Sequence, residues 1–479
     1  DWSSDVCSSD LKSLRDSIIV SIPKDCRGSL LSSDNYRGIC LCSCVVKIME
    51  VIMINRSGNS LQTSDLQFAY KNNHSTTMCS VMIKETVQHY MNNGSNVYEC
   101  MLDASKAFDR IRFDKLFSVL LERDFPAPYI RFLLNGYLAQ TIRVKWGSST
   151  SKSFKGTNGV RQGGVISPIL FTTSIYMERL IDKLKNSNYG CCLGSKYLGC
   201  VMYSDDLSLL SPSLTGLQQM VNICNDFGLE NSIMFNEKKS VCIEFNNCGR
   251  KSGEDIVLNG TTMKWEQKVK HVGNIINCRT NDEDDIRFKK QNFFVQVNKL
   301  IVDYEGVSCN ILSELFSRYC SSFYGSQMWD LRCKEIQGLY RAWNKAVRRL
   351  LGLPFNTHCY LLPLILNTPS LEVQLIRRYI KFFRSMYFNK NQTVSYVCKV
   401  GMRRNYSVIA RNLFFICNKF GCSTAQLLQR HSIKDNFTPI QIANAQGLAD
   451  MLYARDRVTL VEGFQYEQLQ DMINYFATM

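Results

Sequence analysis

The sequence predicts an α+β body followed by an all-α region, and three observations carry that prediction. Two adjacent carboxylates, Asp205 and Asp206, lie between the short apolar runs of residues 199–211, the pattern of a β-hairpin with acids at its tip. Asn259-Gly260, set between Ile256-Val257-Leu258 and Thr261-Thr262-Met263, marks a second, tight hairpin. After Asp282 the apolar spacing turns helical and stays so to the end.

Taken in chain order, the first segment stands apart. Residues 1–11 (DWSSDVCSSDL) are Ser/Asp-rich and read as a translated sequencing-library adaptor, a non-native leader outside the fold, with the true N-terminus expected to be missing. Residues 12–100 alternate short apolar segments with Gly and Asn/Ser breaks. Val97–Leu102 predicts a strand that runs directly into Asp103. Phe113–Leu121 has helical spacing, and Pro126 and Pro128 end or follow that element. Ser167-Pro168 is a helix start, with Ile169, Tyr176, Leu180 and Leu184 on one face through Lys185. The limits that follow are 12–290 for the mixed part, 291–390 for a helical domain, and 391–479 for a helical C-terminal region of unassigned role.

Composition narrows the partner. The 479 residues carry 57 Lys+Arg against 42 Asp+Glu, a formal charge of +15, and +18 without the three acids of the leader. Such an excess favours a polyanion. No apolar run approaches the roughly 20 residues needed to span a bilayer, so nucleic acid is the expected partner and a membrane is not. The 21 cysteines are odd in number, and their spacing fits no zinc framework, since Cys417, Cys422 and His431 lack the further ligands of a finger. They read as reduced thiols of an intracellular protein.

Two acidic clusters carry the chemistry. Adjacent like charges at Asp205-Asp206 are unfavourable unless a cation lies between them and a third acid, although Ser-Asp-Asp is also a good turn sequence. The second cluster, Met101-Leu-Asp-Ala-Ser-Lys-Ala-Phe-Asp-Arg-Ile111, places Asp103 at a strand end. A strand-end acid and a hairpin-tip acid can meet on adjacent strands and hold two metals about 3.5–4 Å apart. Asp109 reads as a structural hydrogen-bonding or capping group rather than a ligand.

In this order the motifs resemble those of a non-LTR (LINE-type) retrotransposon reverse transcriptase. Asp34-Asn-Tyr-Arg-Gly-Ile39 and Gln67-Phe-Ala-Tyr-Lys71 with His74-Ser-Thr76 are similar to the fingers motifs, the Asp103 block to palm motif A, and residues 159–168 (GVRQGGVISP) to motif B. Tyr203-Ser-Asp-Asp206 resembles motif C, where the family more often has Ala at the Ser204 position. Asn236-Glu-Lys-Lys-Ser240 resembles motif D, and His271-Val-Gly-Asn-Ile275 the primer-grip motif E. Tyr324-Gly-Ser, Trp329 and Leu351-Gly-Leu-Pro354 resemble the thumb.

The resemblance, which covers residues 30–390, implies a right-hand polymerase with fingers and palm over 12–290 and thumb over 291–390. It copies RNA into DNA from a DNA primer end, using deoxynucleoside triphosphates and two Mg²⁺ ions, with Mn²⁺ an alternative. Asp103 and Asp205 would bind both metals and Asp206 complete the triad. Lys239 would protonate the leaving pyrophosphate, with neighbouring Lys238 an alternative in register. Arg37, the amides of Ala104, Ser105 and Lys106, and Gln162 with Gly163 would surround the incoming nucleotide. Phe108 would exclude a ribose 2′-hydroxyl, which argues against an RNA-dependent RNA polymerase. His271, Val272 and Gly273 would grip the primer. Arg341, Lys345, Arg348 and Arg349, on one helix face opposite Trp343, Ala346 and Leu350, would track a phosphate backbone.

The expected setting is the nucleus and a cytoplasmic RNA–protein particle. Endonuclease, zinc and ribonuclease H segments are not visible, which points to a polymerase core from a longer polyprotein. A group II intron or retron-type enzyme is the rival within the class. A decayed copy or fragment that only grips RNA is the rival outside it. Template, insertion site and oligomeric state are not written in the chain.

Overall fold

The computed structural model describes residues 16–26, 28–104, 107–174, 177–245, 255–366 and 368–428. The leader at 1–11, Ser105, Lys106, Tyr176 and residues 429–479 fall outside them. Strands β1 (Asp16–Pro23) and β2 (Tyr36–Leu41) pair antiparallel, and helices α1 (Cys44–Arg56) and α2 (Thr76–Asn92) follow. The Ser75 hydroxyl caps α2 by accepting the Met78 amide at 3.2 Å. Strand β3 (Val97–Asp103) leads to α3 (Phe113–Glu122) and α4 (Ala127–Leu138), which has Pro128 in its first turn. Strand β4 (Thr141–Trp146) returns to lie parallel to β1 and completes, with the short strands at 149–150 and 154–155, a first sheet.

The second sheet holds the acids. Helices α5 (Ser167–Ser174) and α6 (Met177–Asn186) precede the hairpin of β5 (Cys200–Tyr203) and β6 (Asp206–Ser211). Leu180 and Leu184 are buried as the spacing predicts, whereas Ile169 is half-buried and its neighbour Leu170 takes the core position. Helix α7 (Leu214–Asn231) is followed by β7 (Val241–Phe245), and Val257–Leu258 pairs with Thr261–Thr262 in the predicted hairpin. Asn259 and Gly260 both take positive φ there, 49° and 76°, as a two-residue turn of this hand requires. Strand β8 (Lys264–Trp265) and the hairpin of β9 (Lys268–His271) with β10 (Asn274–Asn277) close this half.

The order β8-β7-β3-β6-β5 makes β3 central. Alternation along β3 sends Cys100 toward Cys224 of α7 and Glu99 toward Cys79 of α2, so both faces are covered.

From Glu283 on the described chain is helical: α8 (Glu283–Asp303), α9 (Cys309–Tyr319), α10 (Lys334–Leu350), α11 (Leu371–Tyr387), α12 (Gln392–Met402) and α13 (Val408–Phe420). The expected border at residue 290 lies within α8. Buried polar contacts of Asp282 and Asp285 dock this region on the first half of the chain. Lys84 of α2 meets Asp282 at 2.5 Å. Asp285, 1% exposed, accepts the Ile275 amide of β10 at 2.9 Å, Lys289 at 2.7 Å and the Trp329 indole N–H at 2.7 Å. Helix α12 packs on α11 and also on α2, and Asn391 donates to the Asp65 carbonyl at 2.7 Å. The C-terminal helices therefore touch the first half of the chain as well as their helical neighbours.

Among the described residues every cysteine is a free thiol, and no helix is long and apolar enough to cross a membrane.

Two predictions follow from this core. Glu99 is fully buried, and burial lifts its carboxyl from 4.5 to about 8, the Ser208 hydroxyl offsetting only part of the effect. The folded chain thus binds this proton more tightly than the unfolded one, and stability falls as pH rises from 4.5 to 8. Glu99→Gln is expected to flatten that slope and to gain about 3 kcal/mol at pH 8, read by urea denaturation across pH; an unchanged slope contradicts the assignment. Asp285→Asn leaves Lys289 buried without its counter-charge and is expected to cost about 3–5 kcal/mol in the same assay.

Candidate active site

The register of β3 against β6 pairs Asp103 with Asp206, and that of β6 against β5 pairs Asp206 with Tyr203. Asp205 occupies the two-residue turn between β5 and β6. The three acids thus gather at one end of the sheet from positions about a hundred residues apart in sequence. Beside them lies a cavity of about 490 Å³ lined by Asp103, Asp206, Ser208, Lys239, Lys268, Lys270, His271 and Val272 among others.

Electrostatics mark the acids as a crowded set. Part of Asp206 faces solvent, yet desolvation and then the charges of Asp205 and Asp103 lift its carboxyl to about 6. Asp205 is also raised, chiefly by burial, with Asp103 adding repulsion. Its own amide, the Ser204 hydroxyl and the Arg37 charge pull it back. Arg37 is exposed on β2 and acts on Asp205 across the site. Lys239 Nζ lies 3.8 Å from Asp103 Oδ2, so of the adjacent lysines it is Lys239 that reaches the acids.

The Asn236–Ser240 loop is fastened to the end of β3. Ser240 Oγ accepts the Asp103 amide at 3.1 Å, and the Asp103 carbonyl accepts the Asn236 amide at 2.8 Å. Ala104 bridges Phe235; Ser105 and Lys106 lie outside the described residues.

Hard carboxylate oxygens that repel one another are a donor set suited to a divalent cation. Among the described residues no group of three or more His, Cys, Asp or Glu closes on a single point as the side chains stand. The fit rests on the cross-strand pairing and the mutual repulsion of the acids.

The remaining expected residues divide. Phe108 stacks flat on buried Phe171, ring centroids 4.1 Å apart and planes within 5°, which fixes its ring. Gln162 donates to Asp109 Oδ1 at 3.1 Å, and this agrees with the structural reading of Asp109. Gly163 takes φ +119°, and a Cβ there would stand 2.6 Å from the Cys40 carbonyl. The close approach that needs glycine is thus to β2, where the Gln162 carbonyl also accepts the Cys40 amide.

His271 is 4% exposed and its Nδ1 meets Ser80 Oγ at 3.1 Å; burial holds its pKa down at about 4. Its ring anchors the β9–β10 hairpin from within, while the turn at Val272-Gly273 (φ 39° and 91°) stands beside the cavity, with Tyr324 hydroxyl donating to the Val272 carbonyl. On α10, Arg341 and Lys345 are exposed. Arg348 instead donates to the Thr357 carbonyl at 2.6 and 2.9 Å, and Arg349 to Asn298 at 2.6 Å. Arg341, Lys345 and Arg349 of the predicted four-residue stripe are thus exposed and Arg348 is half-buried, with the last two tied to neighbouring segments.

Two residues in the site's supports drew no role from sequence. Glu50 of α1, 2% exposed, accepts the amides of Val165 and Ile166 at 2.6 and 3.2 Å and so holds the loop that begins α5. Gln67, 0% exposed, reaches the tip of the β5–β6 hairpin. A buried acid and a buried amide in polar company leave no periodicity for a sequence to reveal.

The chain is 25% identical over 193 residues to the Pol polyprotein of the retrotransposable element R2DM of Drosophila melanogaster, covering 40% of this chain and 18% of that one. To the probable RNA-directed DNA polymerase from transposon BS of the same organism it is 24% identical over 407 residues, 80% of this chain and 42% of that one. It therefore spans less than half the length of either relative. Apo telomerase from Candida tropicalis aligns in structure with a TM-score of 0.43 at 14% identity, over 85% of this chain and 68% of that one. The resemblance to retrotransposon polymerases read from the motifs is borne out. Residues 22–276, more than half of the chain, match the model of the reverse transcriptase (RNA-dependent DNA polymerase) family, and the chain belongs to that family.

Proposed function

We propose that this chain extends a DNA 3′ end on an RNA template by nucleotidyl transfer at Asp103, Asp205 and Asp206. The observation that carries the reading is the β3–β6 register, which sets Asp103 opposite Asp206, both on a cavity edged by lysines, with Asp205 next to Asp206 in the hairpin turn. The family as a whole works with divalent metal.

Here Asp103 and Asp205 would hold two Mg²⁺ ions, with Asp206 completing the set. Bound there, such ions lower the pKa of the primer hydroxyl and stabilise charge on the phosphates. The primer 3′-hydroxyl gives its proton to solvent as its oxygen forms a bond to the α-phosphorus, and the bond from that phosphorus to the oxygen shared with the β-phosphate breaks. Lys239 supplies the proton that pyrophosphate takes away, and its 3.8 Å approach to Asp103 keeps the ammonium at the site beforehand. Arg37 meets the triphosphate with a planar fork suited to phosphate. The Val272-Gly273 turn faces the primer end, and Arg341 with Lys345 follows the duplex backbone. The fingers and palm would then span 12–290 and the thumb 291–390. Such a reaction on chromosomal DNA would place the protein in the nucleus, and with its RNA in the cytoplasm.

The test is primer extension on an RNA template with deoxynucleotides and Mg²⁺. The intact chain is expected to extend, and Asp205→Ala to fall by about 10³-fold or more while retaining RNA–DNA hybrid binding. Hybrid binding without extension by the intact chain would favour an RNA-gripping protein instead. Phe108→Val removes the ring held by Phe171, and is expected to raise ribonucleotide incorporation relative to deoxynucleotide by about 10- to 100-fold in single-nucleotide kinetics; an unchanged ratio removes Phe108 from that role.

A further inference from the structure

The turn that carries Asp205 is under conformational strain. Ser204 and Asp205 are the two loop residues between the paired Tyr203 and Asp206, and Ser204 takes φ +60°. That region suits glycine, and a residue with a Cβ needs support to stay there.

The support is Gln67. Its Oε1 accepts the Ser204 amide at 3.0 Å and its Nε2 donates to the Ser204 carbonyl at 3.2 Å, so one carboxamide takes both polar backbone groups of the strained residue. Oε1 also accepts the Ala69 amide at 3.0 Å, and the side chain is fully buried. The backbone around Gln67 is in turn fixed to β5: the Met202 amide donates to the Leu66 carbonyl and the Phe68 amide to the Met202 carbonyl, each at 2.9 Å. The 66–68 segment thus meets β5 through one parallel bridge, Gln67 against Met202. A second contact comes from Tyr70, whose hydroxyl stands 3.2 Å from Ser204 Oγ. A glutamine in the middle of a sheet edge has no packing reason to be there, since burying an amide is unfavourable unless its hydrogen bonds are satisfied. Here they are spent on the tip of the acidic hairpin.

We infer that Gln67 is a positioning residue for Asp205: its carboxamide holds Ser204 in the left-handed conformation and thereby sets where the Asp205 carboxylate is presented. The inference rests on the polymerase reading of the site. Asp205 follows Ser204 directly, so release of Ser204 to an ordinary φ re-aims the next peptide and the carboxylate with it.

The test uses Gln67→Met, which keeps volume and burial but removes all three hydrogen bonds, and the double variant Gln67→Met with Ser204→Gly. Glycine adopts positive φ without a Cβ, so the double variant needs the clamp less. Gln67→Met is expected to lower kcat for primer extension by about 10- to 100-fold, with KM for deoxynucleotide and Kd for the RNA–DNA hybrid moving less than about threefold. Mn²⁺ affinity, read by electron paramagnetic resonance without substrate, is expected to weaken as well. Adding Ser204→Gly is expected to restore both kcat and Mn²⁺ affinity by about tenfold at most.

Wild-type kcat and Mn²⁺ affinity in Gln67→Met would overturn the inference. So would a loss that Ser204→Gly leaves untouched while the melting temperature falls, because Gln67 would then serve only the fold. If the intact chain extends no primer, the polymerase reading fails instead, and the Mn²⁺ affinities of the two variants still decide whether Gln67 sets the turn.

Discussion

The site depends on one constraint, the register of β3 against β6. Side chains alternate across a sheet with a period of two, so a slip of one residue would turn Asp103 away from Asp206 and exchange the residues packed against α7 with those packed against α2. What prevents the slip is the burial of β3 on both sides. Cys100 and Leu102 fill the side toward α7, and Val97 and Glu99 the side toward α2. The chemistry at the strand end is thus secured by apolar packing several residues upstream of it.

The same packing creates the electrostatic problem that the site's chemistry uses. Burial disfavours the charged carboxylates of Asp205 and Asp206, and each is pushed further by its neighbours. Among the described residues the compensation is partial: Arg37 acts on Asp205 from β2, and Lys239 stands nearly 4 Å from Asp103 with two thirds of its side chain exposed. A site that was meant only to be stable would have drawn a cation into direct contact, as Lys84 does with Asp282 and Lys289 with Asp285. The contrast between those two closed pairs and the crowded acids supports the proposed reading of the site.

Much of this was legible in the chain because local chemistry dictated it. The Asn259-Gly260 turn, the strand running into Asp103, the acidic hairpin and the change to helix at Glu283 all follow from turn residues, apolar runs and spacing, and the structure bears them out. What escaped were contacts that only the tertiary fold creates. His271 reads as a residue beside the primer, yet its ring turns inward to Ser80, 191 positions away in sequence. Arg348 reads as part of a basic face but spends its fork on the Thr357 carbonyl, nine residues on. Gly163 reads as a residue at the incoming nucleotide, and the group a Cβ there would meet is the Cys40 carbonyl. In each case the residue type announced a constraint and left its partner unnamed.

Those hidden partners share a geometry. Glu50 reaches the 165–166 amides, Gln67 reaches Ser204, and Asp285 ties β10 to Lys289 and Trp329. Each is a buried polar side chain that satisfies backbone or side-chain groups of a different element, and each fastens one edge of the site. Buried polar groups are unfavourable unless fully satisfied, so such anchors tolerate little displacement, whereas apolar contacts slide. The acids are therefore borne on a sheet whose position is set by packing, and their orientation is set by a few buried amides and carboxylates. That division explains why the fold can be read from hydrophobic pattern while the aim of the site cannot: the first is written in many residues, and the second in single side chains whose partners are far away in sequence.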